Sequence, residues 1–92
     1  MFLEIVTPEA SIFHGDVDSV IVPGVNGEFQ MLNNHAPIVS LLQEGTIKIK
    51  GSFTIDEDYQ SKFTNGENDY SELAIESGTV ESNENKIIIL VD

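Results

Sequence analysis

Hydrophobic and polar residues alternate along much of this chain with the two-residue period of a β-strand. The clearest case is TIKIK at 46–50, where Ile47 and Ile49 fall on one side, and a threonine and two lysines on the other. Because successive strand side chains point to opposite faces, this segment predicts a strand with one buried and one solvent-facing side. No window of 11 or more residues shows an apolar stripe at helical spacing, so the pattern predicts an all-β chain.

Other short apolar runs are separated by glycine and asparagine clusters, and the IIIL run at 87–90 is continuous rather than alternating. That run predicts a strand covered on both sides or one leaning on a neighbour. Pro8 and Pro23 are predicted to end strands because proline cannot donate to a ladder, and Pro37 favours a strand entry. Short strands at intervals of roughly 8–12 residues predict a flattened β-sandwich or small barrel, with residues 1–92 as a single domain.

The segment at 51–72 has a different texture, with six acidic residues, one lysine and the turn pair Asn65-Gly66 near its middle. We interpret residues 51–70 as an acidic hairpin insertion. Its packing would come from its apolar side chains, namely Phe53, Ile55, Tyr59 and Phe63. A disordered loop is the competing interpretation, because acidic, polar segments often bury too little apolar surface to fold.

The net charge of −12, from sixteen acidic residues against four lysines, bears on the choice of partner. Nucleic-acid binding depends on neutralising phosphates with lysine and arginine, so this charge predicts no nucleic-acid partner and disfavours anionic lipid surfaces. No apolar run approaches the roughly 18 residues of a membrane span. The sequence therefore predicts no direct membrane insertion, and any membrane association would occur through a partner protein.

Motifs for catalysis, cofactors and metals are missing from the sequence. No lysine follows a glycine as a phosphate-binding loop requires, neither acidic run has EF-hand spacing, and no serine sits in a nucleophile elbow. We therefore predict no cofactor, no metal and no enzymatic activity. A Glu28–His35 acid–base pair stays open as one alternative. A small sandwich binding a carbohydrate, calcium or a peptide is another, although the chain has no tryptophan and only two tyrosines for a ligand platform.

Two polar turns flank one short strand in VPGVNGEFQMLNNHAP, residues 22–37. Gly24 and Gly27 permit positive φ, and Asn26-Gly27 is a favoured tight-turn pair. The second turn, Asn33–His35, precedes Ala36-Pro37. A strand over 28–32 would hold the two turns about 17 Å apart, at opposite ends. This arrangement predicts a shaped binding surface, and the alternative is that both turns are ordinary hairpin connections.

The same stretch, read as V-P-G-x-x-G-E-F-x-x-L-x-x-H-A-P, resembles the signature of the epsilon subunit of the rotary F-type ATP synthase. The likeness extends to LEIVTPEASIFHGDVDSVIVPG, which resembles the first two strands of that family, and to EGTIKIK. LAIESGTVESNENKIIILVD is similar to its closing hairpin. The sequence departs from the family pattern at Gly78-Thr79, where a glycine pair is common, and in the insertion at 51–70.

The resemblance implies a sandwich of two five-stranded sheets and a non-catalytic rotor subunit in the central stalk. Such a subunit links the gamma subunit to the c-ring and couples ion translocation to ATP synthesis. It would be a peripheral membrane protein on the cytoplasmic face of the bacterial inner membrane. A C-terminal helical hairpin, with its ATP binding and inhibition, is expected to be absent. The implied contacts with the c-ring and gamma are Gly24, Val25, Asn26, Gly27, Glu28, Asn34, His35, Ala36, Pro37, Leu41 and Leu42.

Overall fold

The computed structural model describes residues 1–92, and it confirms an all-β chain of ten strands. In chain order the strands are β1 (Phe2–Val6), β2 (Ser11–Asp16), β3 (Ser19–Gly24), β4 (Gly27–Leu32), β5 (Ile38–Leu42), β6 (Gly45–Lys50), β7 (Phe63–Asn65), β8 (Ser71–Ile75), β9 (Gly78–Asn83) and β10 (Lys86–Val91). Two single-turn 3-10 helices, Gln60–Lys62 and Glu67–Asp69, flank β7. Neither has the length or the apolar character that crossing a membrane requires.

The ten strands form one hydrogen-bonded sheet that curls into a sandwich. One set of five runs β2-β1-β10-β9-β5, and the other runs β4-β3-β6-β8-β7. A single residue pair, Gly24 with Leu42, joins the two sets. The structure thus differs in one detail from the expected two separate sheets, because β3 pairs with β6 through Ser19–Ile21 and reaches β5 at its last residue.

Alternating burial along the strands builds the core between the two sets. Ile47 and Ile49 are buried as the TIKIK pattern predicts. In β10, Ile87 and Ile89 are also buried, whereas Leu90 is exposed on the outer face. The interpretation of this apolar run as a strand covered on both sides is therefore wrong, since only alternate positions face the eighteen-residue core.

Pro23 lies inside β3 rather than at its end, which corrects the sequence-based prediction. The pair Gly24 and Gly27 closes the β3–β4 turn, so Pro23 and Glu28 face each other at a position without direct hydrogen bonds. On the other side, the Pro23 carbonyl oxygen accepts a hydrogen bond of 2.9 Å from the Gln43 amide. The missing donor therefore costs β3 no bond to β4. Pro8 lies beyond the end of β1 and Pro37 directly precedes β5, as predicted.

The acidic insertion is ordered, but strand structure in it is limited to β7, which pairs antiparallel with β8. Its apolar side chains pack against the core as predicted. The rings of Phe53 and Phe63 lie 5.1 Å and 6.4 Å from the ring of Phe13, measured between centroids. Phe13 belongs to β2, which lies at one end of the sheet order, while β7 lies at the other. The insertion therefore covers the seam between the two terminal strands.

Candidate functional site

The first predicted contact loop is the β3–β4 turn, where Val25 and Asn26 connect the paired residues Gly24 and Gly27. Gly27 has a φ of +123°, a conformation that other residues adopt only with strain. β4 begins at Gly27, one residue earlier than expected, so the exposed tip is Val25-Asn26. A methyl group at Gly24 would approach the Gly27 carbonyl oxygen to 2.8 Å. Both glycines are therefore needed for a turn this tight.

Strand β5 fixes this turn from one side. The Val25 amide donates a hydrogen bond of 3.1 Å to the Leu41 carbonyl oxygen, and Gly24 pairs with Leu42. The structure thus brings the predicted contact residues at 24–28 and Leu41 to the same end of the sandwich. Because these contacts bond the β3–β4 turn to β5, the tip is part of the sheet rather than a free loop.

An apolar row lies beside this tip on the outer face of β5, β9 and β10. Leu41 pairs with Thr79, and Thr79 pairs in turn with Leu90, so the three side chains share one face of the sheet. Leu41 is 62% exposed, Leu90 51% and Val25 46%. Together with the exposed Asp92 they line a shallow groove of about 410 Å³. We call this the outer groove, and exposed apolar side chains with an acidic rim are typical of a protein-binding surface.

The side chain of the predicted contact residue Leu42 is 3% exposed and belongs to the core, so Leu41 is the exposed residue of the two. Leu41 and Leu42 are neighbours in a strand, so only one of them can face outward. Leu90 was missed by the sequence analysis, since the IIIL run hides the phase of the alternation. If Ile87 is assigned to the core, the strand alternation puts Ile89 in the core as well and Leu90 on the outer face.

Glu28 lies on the outside of β4 and forms the one ion pair of the structure, with the Lys48 ammonium 3.6 Å from its carboxylate. Lys48 belongs to β6 and reaches across β3, where its pairing partner is Ile21. Exposed pairs of this kind contribute about 0–1 kcal/mol to stability. The main effect of the Glu28–Lys48 pair is therefore to hold the Glu28 carboxylate beside the sheet, near the β3–β4 tip.

The second predicted contact loop, Asn34–Pro37, is fixed by three hydrogen bonds. The His35 amide donates to the Leu32 carbonyl oxygen at 3.1 Å, and the Asn34 amide donates to Asn85 Oδ1 at 2.7 Å. Nδ1 of His35 lies 2.7 Å from the Ala36 carbonyl oxygen, so this nitrogen carries the proton and donates. Asn85 lies in the β9–β10 turn, which therefore supports the loop.

The two loops lie at opposite ends of β4, as the sequence predicted. Glu28 follows the first residue of that strand and His35 lies three residues beyond its end. At a rise of about 3.4 Å per residue, the strand alone separates the loops by roughly 17 Å. Glu28 and His35 are therefore too far apart to act as an acid–base pair, and that alternative is wrong. The structure also contains no group of three side chains able to hold a metal ion.

Comparison with known proteins agrees with these features. The sequence profile of the family described as "ATP synthase, Delta/Epsilon chain, beta-sandwich domain" matches residues 1–92. The ATP synthase epsilon chain of Campylobacter concisus is 41% identical over 92 residues, which are 100% of this chain and 60% of the relative. That of Chlorobium limicola is 34% identical over 90 residues, 98% of this chain and 86% of the relative.

A solved structure shares the fold at low sequence identity. The central stalk and c-ring structure of the Tetrahymena thermophila mitochondrial ATP synthase contains a chain that matches with a TM-score of 0.75 and 15% identity. The match covers 98% of this chain and 61% of that one. Since this chain spans only about three fifths of its Campylobacter relative, the match concerns one domain of such proteins. The chain belongs to the family of ATP synthase delta and epsilon chains, of which it forms the β-sandwich domain.

Proposed function

We propose that this domain is a non-catalytic rotor part of an F-type ATP synthase, in which it links the gamma subunit to the c-ring. The observation that carries the proposal is the family match over all 92 residues. The solved chain with the same fold comes from a structure of a central stalk and c-ring. In this role the domain makes and breaks no bond, and it couples ion translocation to ATP synthesis mechanically. Residues 1–92 would act as one rigid unit.

The geometry supports a division of contacts over the surface of the domain. The β3–β4 tip with Glu28 would meet the c-ring, whose loops offer polar partners. The outer groove would receive gamma, because Leu41 and Leu90 supply exposed apolar surface there. The loop at 34–37 would provide a second contact. A body held at points roughly 17 Å apart resists turning at an interface better than one held at a single point.

In this assembly the domain would lie at the cytoplasmic face of the bacterial inner membrane as a peripheral component. Its net charge of −12 favours contact with protein partners over anionic lipid. The membrane attachment would come through the c-ring.

The test measures assembly and coupling after the charge is changed at two of the proposed contact residues. We expect Glu28→Lys and His35→Glu to weaken co-purification with tagged gamma and c-ring by about tenfold, which corresponds to about 1.4 kcal/mol. Proton-driven ATP synthesis in membrane vesicles should fall with it. The matched control for Glu28→Lys is Glu57→Lys, which makes the same charge change at an exposed position in the insertion and should leave both measurements unchanged.

Circular dichroism and the urea midpoint would show that each variant stays folded. Normal co-purification and normal synthesis with both contact variants would reject the assigned contacts. Failure of the unmodified chain to bind gamma would reject the rotor role itself.

A further inference from the structure

The seam between β2 and β7 contains a stretch of backbone that pairs with no strand. Residues 53–56 are not part of any strand, and the amides of Phe53, Thr54 and Ile55 donate no hydrogen bond in the structure. The Ile55 carbonyl oxygen is held only by the side chain of Gln60, at 3.1 Å. Open backbone groups of this kind can pair with an added chain.

Strand β7 also has a free edge. It is the last strand in its direction of the sheet order and pairs only with β8. The Gly66 amide donates to the Tyr70 carbonyl oxygen at 2.8 Å, next to the β7–β8 ladder. Hydrogen-bonded and non-hydrogen-bonded pairs alternate along an antiparallel ladder, so Thr64 bonds to β8, whereas the Asn65 amide and carbonyl point away from β8.

A groove of about 630 Å³ separates these two unpaired edges. Its apolar walls are the half-buried side chains of Phe53, Ile55 and Phe63, and the polar groups between them include Thr64 and Asn65. Apolar pockets beside a strand edge are what an added β-strand needs, because its alternate side chains enter the pockets while its backbone pairs with the edge.

The charges around this groove favour a basic occupant. Residues 51–72 carry six acidic side chains and a single lysine, Lys62. The side chains that line the groove are themselves uncharged. Of the acidic residues beside it, Asp56 follows Ile55 in the sequence, and Glu72 pairs with Thr64 on one side and with Lys48 on the other. The Glu72 carboxylate lies over Gly66, where a methyl group would collide with it. A second copy of this chain would bring the same negative charge to the groove and be repelled.

We propose that this seam groove accepts an extended basic segment of a partner protein, which adds to β7 as an eleventh strand. The inference goes beyond the rotor role, because it concerns neither the β3–β4 tip nor the outer groove. It assigns the acidic insertion a binding function of its own. The segment would alternate apolar side chains facing the groove with lysine or arginine facing the acidic residues of the insertion.

The test uses the peptide acetyl-KVKVKVK-amide and its glutamate counterpart acetyl-EVEVEVE-amide, titrated into the isotope-labelled chain at low salt. We expect the lysine peptide to bind in a one-to-one ratio and to shift the amide signals of residues 53–55 and 63–65. The glutamate peptide should bind at least about tenfold more weakly. Affinity should fall severalfold when salt is raised from about 20 mM to about 200 mM, because the attraction is screened.

Strand addition is separated from simple charge attraction by backbone changes. Asn65→Pro removes the outward donor and should weaken binding about tenfold, whereas Asn65→Ala keeps it and should bind like the unmodified chain. Should Asn65→Pro fail to fold, a lysine peptide N-methylated at alternate amides makes the same test from the ligand side. The proposal would be overturned if the methylated peptide bound as tightly as the unmethylated one. It would also be overturned if the amide signal shifts were centred on Leu41 and Leu90, or if the chain dimerised through β7.

Discussion

Gly78 lies closer to the neighbouring strand than any side chain would allow. A methyl group built on it would collide with the carbonyl oxygen of Leu90, a backbone atom that cannot rotate away. Gly15 offers a contrast, because a methyl group there would make an ordinary contact of 3.7 Å with the Phe13 ring. Both glycines lie in strands, so they separate the effect of backbone crowding from the general effect of adding a methyl group.

We expect Gly78→Ala to lower the free energy of unfolding by about 1–3 kcal/mol, since β9 and β10 must move apart. Gly15→Ala should change it by less than about 0.5 kcal/mol. Urea unfolding followed by circular dichroism gives both values. A loss for Gly78→Ala no larger than that for Gly15→Ala would contradict the close approach of the two strands.

A hydrogen-bonded trio ties the end of the insertion to the β3–β4 hairpin. The buried Ser19 hydroxyl lies 2.9 Å from the Tyr70 hydroxyl and accepts a bond of 2.8 Å from the amide group of Gln30. Removing the Tyr70 hydroxyl leaves Ser19 with one partner fewer in a buried position. The cost of such a loss is usually larger than the net gain from making the bond.

Tyr70→Phe should therefore destabilise the chain by about 1–2 kcal/mol and speed amide hydrogen exchange in the insertion. The control is Tyr59→Phe, because the Tyr59 hydroxyl makes no hydrogen bond in the structure; its effect should stay within about 0.5 kcal/mol. Equal stability of the two variants would show that the trio does not anchor the insertion.

In strand β10, neighbouring apolar residues have two different roles, one in the core and one on the surface. Ile89 is fully buried in the core, and its neighbour Leu90 faces the outer groove. We expect Ile89→Ala to cost about 2–5 kcal/mol of stability through the cavity it leaves. Leu90→Ala should cost less than about 1 kcal/mol and should instead weaken the contact with gamma that we propose for the outer groove. Urea unfolding and co-purification with gamma measure the two effects, and similar losses of stability would contradict the assigned register.

The sequence predicts strands well where hydrophobic and polar residues alternate and poorly where they do not. TIKIK fixed the phase of β6, because lysine at 48 and 50 leaves only the isoleucines for the core. The IIIL run contains no polar residue to mark the outer face, so the run by itself does not show that Leu90 faces outward. Pro23 was misplaced for another reason, since a proline is tolerated wherever the ladder leaves its nitrogen without a partner.

The two predicted contact loops were recognisable in the sequence as local turns, but the segments they pack against were not. Glycine, asparagine and proline spacing at 24–37 marks both turns, and the length of β4 sets the distance between them. The contact of Val25 with Leu41 depends on β3 reaching β5, which is set by packing of distant segments. The free edge of β7 likewise follows from the order of strands, and no local pattern encodes that order.

Over the whole molecule, negative charge is spread with little compensation. The chain has sixteen acidic residues and four lysines, and Glu28 is the one acidic residue that forms an ion pair. Three consecutive acids, Asp56–Asp58, stand in the insertion, all of them exposed. Charge of one sign disfavours the compact state through self-repulsion, and salt screens it, with a Debye length of about 30 Å at 10 mM and about 8 Å at 150 mM.

Raising sodium chloride from about 10 mM to about 150 mM should therefore raise the melting temperature. A gain of 1 kcal/mol in stability corresponds to roughly 4–8 °C in a domain of this size. The double variant Glu57→Gln/Asp58→Asn, which removes two exposed charges, should start from a higher melting temperature and gain less from salt. Calorimetric scans of both proteins at the two salt concentrations measure this. An equal gain in the variant would mean that repulsion within the insertion has no part in the effect, and a lower melting temperature at high salt would show that attractive pairs dominate the folded state.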